Sequence, residues 1–186
     1  IIAREIEQYN KNVFVIENGI DTNQESWQPD FVRKERLRFG FFQGATHFED
    51  VMSCSQGVVE LYRNKKYKDK FQVVLMGFIG SQNIHEVTPY VAYELALTDR
   101  MKVLNEPYQA YLKRYVFEGS DLYFNEPYVR VWQTEVDNWG LTYNLADISV
   151  IPLLNNRFNR SKSELKLIEA GVKGKACIVS DTQPYK

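Results

Sequence analysis

A run of polar residues near the carboxyl end has the types and spacing to do chemistry. Asn159, Arg160, Ser161, Lys162 and Ser163 crowd donors and cations together, and Glu169 follows shortly after. A helix beginning at this run would present unpaired N–H groups and about half a positive charge. Amides, hydroxyls and cations at such a terminus can hold a diphosphate without a metal. Glu169 falls about 40° around that helix from Leu165. That is the edge of the apolar stripe, so its carboxylate should be half-buried and in need of donors, which sugar hydroxyls would supply. The same residues also fit an ordinary serine cap, solvated Lys and Arg, and Glu169 paired with Lys166 or Lys173.

The element that must position them runs from Asp147 to Asp181. Ile148, Val150 and Ile151 form an apolar run closed by Pro152, which predicts a buried strand. Leu153–Arg160 is a polar loop. Ser161 or Ser163 is the expected cap of a helix running to about Val172, with Leu165, Ile168 and Val172 as its core stripe. Gly171 and Gly174 are stop signals. Ala176–Val179 predicts a second short buried strand. The whole is a βαβ unit, its strands parallel and adjacent.

A second candidate cluster follows an earlier strand. Arg36–Phe42, RLRFGFF, is apolar and aromatic, and Gln43–His47 then turns into a helix expected over about 47–63. Thr46 is the expected N-cap, with Glu49 completing a capping box. Strand, glycine-containing turn and helix open a mononucleotide-binding fold, although Gly44 alone gives no specific phosphate signature. His47 at a helix N-terminus would have its charged form disfavoured. It could donate to a phosphate or sugar, or lie on the surface.

The remaining chain supplies framework. Residues 1–10 are amphipathic and predict a helix, Asn12–Ile16 a short strand, and Glu17–Asp21 an Asn-Gly turn. Asn64–Lys70 reads as a solvated basic turn and Phe71–Phe78 as a buried strand. Thr88–Leu104 and Tyr108–Phe117 are helix candidates, and NEPY occurs twice, at 105–108 and 125–128, in turn-like settings. The tyrosine-rich 81–125 region suits packing over a sheet or an aromatic patch for a partner or sugar. Tyr128–Trp132 predicts a strand and Trp139–Ala146 a short helix.

With 186 residues, 44% hydrophobic and 25% charged, the chain can fill one core. A net charge of −1 gives no electrostatic reason to expect nucleic acid. Cys54 and Cys177 sit far apart in apolar segments and read as buried free thiols in a reducing compartment. With two Cys and two His, a structural zinc site is not expected. No apolar run approaches the length of a transmembrane helix and no signal peptide is evident, so a cytoplasmic location is expected. The chain starts at Ile1 without Met and stops just after a strand, and it reads as a piece of a longer protein.

These motifs carry a resemblance. IEAGVKGKACIVSD, residues 168–181, resembles LEAxAxGxPVVxSD of the donor-binding signature of GT-B glycosyltransferases, of the retaining group 1 or family-4 type. Glu169 stands at the second of that signature's two glutamates, and Ser161 stands where the first would be. A subset of the family carries FNxxKSxLKxxEA, and FNRSKSELKLIEA at 158–170 is similar to it. The phrases around Asn18-Gly19-Ile20-Asp21, Gly44–Asp50 and Trp139–Ile148 resemble the family's pNGvD, GxxTHxxD and YxxxYxxADI.

The resemblance implies a Rossmann-like α/β fold, a mostly parallel sheet with helices on both faces, forming the C-terminal half of a GT-B fold. Residues 1–30 would be a linker and remnant of a missing N-terminal domain, and 31–186 a nucleotide-sugar-binding domain truncated at its C-terminus. It implies a nucleotide-diphosphate-sugar donor, no metal or other cofactor, and a glycan or lipid-linked acceptor brought by the missing domain. Peripheral membrane association and oligomeric state stay open. Lys162 and Arg160 would stabilise the departing diphosphate, and Glu169 would hold the ribose. Gly44, Thr46, His47, Gln133, Thr134, Asn159, Ser161 and Ser163 are the further donor-binding candidates. Four strand ends would converge on the site: 42–47, 77–80, 132–134 and 153–163. An epimerase of the same fold, acting on a nucleotide sugar, and a non-catalytic interaction module are the alternatives. A flavodoxin-like receiver fits less well, because Gln43-Gly44-Ala45 is not its acidic cluster.

Overall fold

A computed structural model describes residues 2–31, 35–43, 47–78, 128–132 and 134–186. The helices expected within 88–104 and 108–117, and both NEPY turns apart from Tyr128, lie outside them.

Five apolar segments form one parallel sheet: β1 (Leu37–Phe41), β2 (Phe71–Phe78), β3 (Tyr128–Trp132), β4 (Ile148–Ile151) and β5 (Ala176–Val179). Their order is β3-β2-β1-β4-β5, the arrangement of a Rossmann-like α/β fold. Every side chain from Phe71 to Met76 is buried, as in a strand covered on both faces. Beside the short β1–β4 ladder, Asp147 accepts from Arg38 N through Oδ2 at 2.8 Å, and its own N–H donates to Arg38 O at 2.9 Å. The adjacent parallel pairing of β4 with β5 is as the βαβ pattern predicts. β5 is not a buried strand, however. It forms the sheet's edge, and Ala176 and Ile178 are exposed. An apolar tetrapeptide does not distinguish an interior strand from an edge one.

Among the described residues the helices are α1 (Ile2–Ile6), α2 (Phe48–Met52), α3 (Ser55–Arg63), α4 (Trp139–Thr142), α5 (Arg157–Arg160) and α6 (Leu165–Val172). None is long and apolar enough to cross a membrane. The helix expected over 47–63 is two helices, and the cause is local. The Ser53 hydroxyl donates to Asp50 O at 2.6 Å, a back-bond of the kind that bends a helix at this point. Cys54 N bonds Val51 O. α2 has His47 as its N-cap, without a side-chain cap bond; the expected capping residue, Thr46, lies outside the described residues.

The polar loop after β4 differs from expectation in the same way. Neither Ser161 nor Ser163 caps the long helix. Asn156 caps the one-turn α5 through its side chain, accepting from Asn159 N at 2.8 Å, and α6 starts after Glu164. Leu165, Ile168 and Val172 are only half-buried, whereas Glu169 and Ala170, with Lys173 just beyond the helix, form its most buried face. α6 ends in a Schellman motif, with Lys175 N bonded to Ala170 O and Gly174 N to Gly171 O, both at 2.9 Å. Gly174 carries the positive φ of 66° that the motif requires.

The core above the sheet is aromatic. Tyr143 stacks on Phe42 with centroids 3.7 Å apart and planes 7° from parallel, and Trp27 and Trp139 close around it. Trp27 comes from the amino-terminal segment, which is therefore part of this fold. A Cβ at Gly140 would strike the Ser26 carbonyl, so only glycine allows the approach. Lys173, with no exposed surface, donates through Nζ to the carbonyls of Ser26 and Gln28. Upstream, the strand expected over Asn12–Ile16 does not form: Phe14, Val15 and Ile16 are exposed and pair with no strand among the described residues. Cys54 and Cys177 are free thiols, half-buried rather than buried, and burial pushes both up from the usual thiol value.

Candidate functional site

The strand order reverses between β1 and β4. In open parallel sheets, ligands bind beyond the carboxyl ends of the strands at such a point. Two clefts open there, and Leu165, in the first turn of α6, lines both.

The first cleft, about 400 Å³, has walls of Ile20, Trp27, Val136, Trp139 and Leu165, with Glu169, Thr134, Gln24, Asp21 and Asp137 as its polar side chains. Glu169 is only 7% exposed. Its Oε2 accepts from the Tyr143 hydroxyl at 2.6 Å. Burial, reinforced by the neighbouring Glu169 charge, drives the Tyr143 phenol far above its ordinary value, so it stays a donor. Glu169 does not draw on Lys173, which is committed to the two carbonyls described above. The Thr134 hydroxyl oxygen is buried without a hydrogen-bond partner among the described residues. Apolar and aromatic walls with a buried acid and a free hydroxyl suit a flat ring bearing hydroxyl groups.

The second cleft, about 340 Å³, is lined by Gln43, His47, Lys162, Ser163, Lys166 and Tyr185 among others. Its organising group lies just beneath. Asp50, 6% exposed, accepts from Leu154 N and Asn159 Nδ2 through Oδ1, both at 2.8 Å. Its Oδ2 contacts His47 Nδ1 at 2.7 Å. A carboxylate partner assigns the proton to Nδ1 and leaves Nε2 as an acceptor. Lys162 Nζ lies 3.2 Å from that Nε2 and 3.3 Å from Nδ1, so the ammonium rests against the imidazole ring and is not aligned on one nitrogen. Burial lowers the His47 pKa, Asp50 opposes this, and the Lys162 charge adds to the lowering. The environment thus favours neutral His47, and the Lys162 ammonium packs beside the ring with hydrogens to offer the cleft. Burial also lowers the pKa of Lys162 and Lys166, opposed by the charges of Asp50 and Glu169 respectively. Lys166 Nζ lies 5.7 Å from the centre of the Trp139 ring, on the boundary between the clefts. The Tyr185 phenol is pushed up to about 12, chiefly by burial.

No family model matches the chain, and no curated protein matches it either.

The structure brings together five of the residues singled out in the sequence. Glu169 and Thr134 line the first cleft, and His47, Lys162 and Ser163 the second. Asn159 is buried below them with its amide hydrogens taken by Asp50 Oδ1 and Leu154 O, so it clasps the loop and has none to give a ligand. The Ser161 hydroxyl turns back to donate to Arg157 O at 3.1 Å. Arg160 is exposed and lines neither cleft. Gly44, Thr46 and Gln133 lie outside the described residues. Of the four strand ends, Gln43 and His47, Thr134, and Leu153, Lys162 and Ser163 reach the clefts; Gly77 does not line them, and 79–80 lie outside the described residues.

Sequence reasoning missed Asp50, Tyr143, Gln43 and Lys166. The first two stood inside the phrases Gly44–Asp50 and Trp139–Ile148, but nothing local marks a residue whose partner is far along the chain. Gly19 to Asp21, read as a turn, also reach the first cleft.

Proposed function

We propose that the chain binds the nucleotide-diphosphate-sugar donor of a retaining glycosyltransferase. The observation that carries this reading is the pairing of two different clefts across Leu165. One is aromatic with a buried acid, and the other is cationic. A nucleoside diphosphate has the same two-part chemistry. The base lies between Ile20, Trp27 and Trp139, and the ribose hydroxyls donate to Glu169. The diphosphate meets Lys162, Lys166 and the Ser163 hydroxyl, at the amino end of α6.

As the bond between sugar and diphosphate breaks, negative charge develops on the leaving group. The Lys162 ammonium, packed beside the His47 ring, stabilises that charge without having to reorganise. The acceptor, a glycan or lipid-linked sugar, comes through further protein.

Calorimetry with UDP, GDP, ADP and their hexose conjugates tests this on the wild type, Lys162→Ala and Glu169→Ala. We expect one nucleotide family to bind and each substitution to weaken it at least tenfold, since hydrogen bonds to charged groups contribute about 1.5–3 kcal/mol. Binding of none by the wild type, or undiminished binding by both variants, refutes the assignment.

A further inference from the structure

We infer that Gln43 is a specificity-determining residue, its side-chain carbonyl accepting a hydrogen bond from a hydroxyl of the sugar attached to the diphosphate. This inference rests on the reading above and goes beyond it by naming what selects the sugar.

Gln43 follows β1 and is 2% exposed. Its Nε2 donates to Pro152 O at 3.0 Å, which ties the end of β1 to the end of β4. A proline carbonyl can only accept, so the amide cannot be turned around: its NH₂ end is fixed on Pro152, and its oxygen must point away. That oxygen, Oε1, is buried and has no hydrogen-bond partner among the described residues, yet the side chain lines the second cleft beside Lys162, Ser163 and Lys166. Buried carbonyl oxygens in native proteins are nearly always partnered. The partner must be a donor. It cannot be a phosphate oxygen, which would repel it.

The cleft therefore makes two different demands within a small volume. The ammonium groups call for an anion, and the amide oxygen, which no described donor lining the cleft reaches, calls for a donor beside it. A phosphate esterified to a polyhydroxylated ring meets both; with the ribose placed at Glu169, the diphosphate of a bare nucleotide meets only the first, and the second is left to the transferred sugar. A water can fill the place in the unliganded protein and leave when the sugar arrives.

The test compares affinities within each protein. For the nucleotide that binds, calorimetry is run with the diphosphate, its hexose conjugate, and conjugates lacking one sugar hydroxyl at a time. The wild type should bind the conjugate roughly tenfold more tightly than the diphosphate, and one deoxy conjugate should lose that advantage. In Gln43→Met the conjugate-to-diphosphate ratio should fall toward one, and that deoxy conjugate should bind like its parent. Equal binding of diphosphate and conjugate by the wild type, indifference to every deoxygenation, or an unchanged ratio in Gln43→Met overturns the inference while the nucleotide site stands. Should Gln43→Met not fold, the wild-type deoxy series decides alone. Binding of neither compound by the wild type refutes the nucleotide reading itself, a distinct outcome.

Discussion

Asp50 and Glu169 are both buried carboxylates, 6% and 7% exposed, one beneath each cleft, and they are satisfied very differently. Asp50 is held by a backbone amide, an asparagine amide and an imidazole from three separate places in the chain. Glu169 takes a single described hydrogen bond, from the Tyr143 hydroxyl, while its side chain also borders open space. An ionised carboxylate can accept about four hydrogen bonds. Asp50 has spent three of these holding the protein together, whereas Glu169 has spent one. Burial alone does not distinguish a structural acid from one available to a ligand; the count of donors does.

The strongest way to break this comparison is to remove the acid with the three donors. Asp50→Ala strands Leu154 N, one Asn159 amide hydrogen and His47 Nδ1, and each buried donor left unpaired costs about 1–3 kcal/mol. We expect a loss of about 3 kcal/mol in urea denaturation. Glu169→Gln keeps an acceptor for Tyr143 and should cost no more than about 1 kcal/mol while still impairing nucleotide binding. Equal stability losses would mean that the two acids do the same job.

The same distinction explains what the sequence could and could not reveal. All five strands were legible, because a short apolar run between turn signals is a local property. Partners were not. Asp50 and Asn159 meet across more than a hundred residues, so Asn159 reads as a ligand in the sequence and is a clasp in the fold. The break at Ser53 depends on one hydroxyl choosing a nearby carbonyl, and hydrophobic periodicity is blind to that choice. In α6 the pattern pointed to Leu165, Ile168 and Val172, but the buried face is turned toward Glu169 and Ala170. Tyr143 supplies Glu169 with a donor, and Lys173 is drawn away to two carbonyls. Glu169 was legible from its place around the helix as well as from its phrase, but its partners, distant in the chain, were not.

A smaller effect sharpens the comparison from the other acid. Tyr143→Phe removes one hydroxyl and keeps the ring stacked on Phe42. The carboxylate loses its one described donor, and we expect a cost of about 1–2 kcal/mol. Combined with Glu169→Gln, the loss should be less than additive, with a coupling of about 1 kcal/mol in a double-mutant cycle. Strict additivity would mean that the hydroxyl acts through something other than Glu169.

The smallest expected effect is a pH dependence at the Asp50 end. His47 faces Asp50 on its own helix and Lys162 and Lys166 across the cleft, and its pKa in the folded protein lies below the ordinary 6.5. As pH falls below 6.5, the unfolded chain takes up this proton before the native one does. The contribution of a neutral His47 is therefore complete above 6.5 and is lost progressively as pH falls toward the folded value. One such group changes stability by at most about 1.4 kcal/mol per pH unit. The stability difference between wild type and His47→Gln, measured by urea denaturation, should therefore shift against the wild type between pH 7.5 and 5.5. Glutamine can still donate to Asp50 but does not titrate, so it isolates the proton. A difference that is the same at both pH values would mean that folding does not lower the His47 pKa.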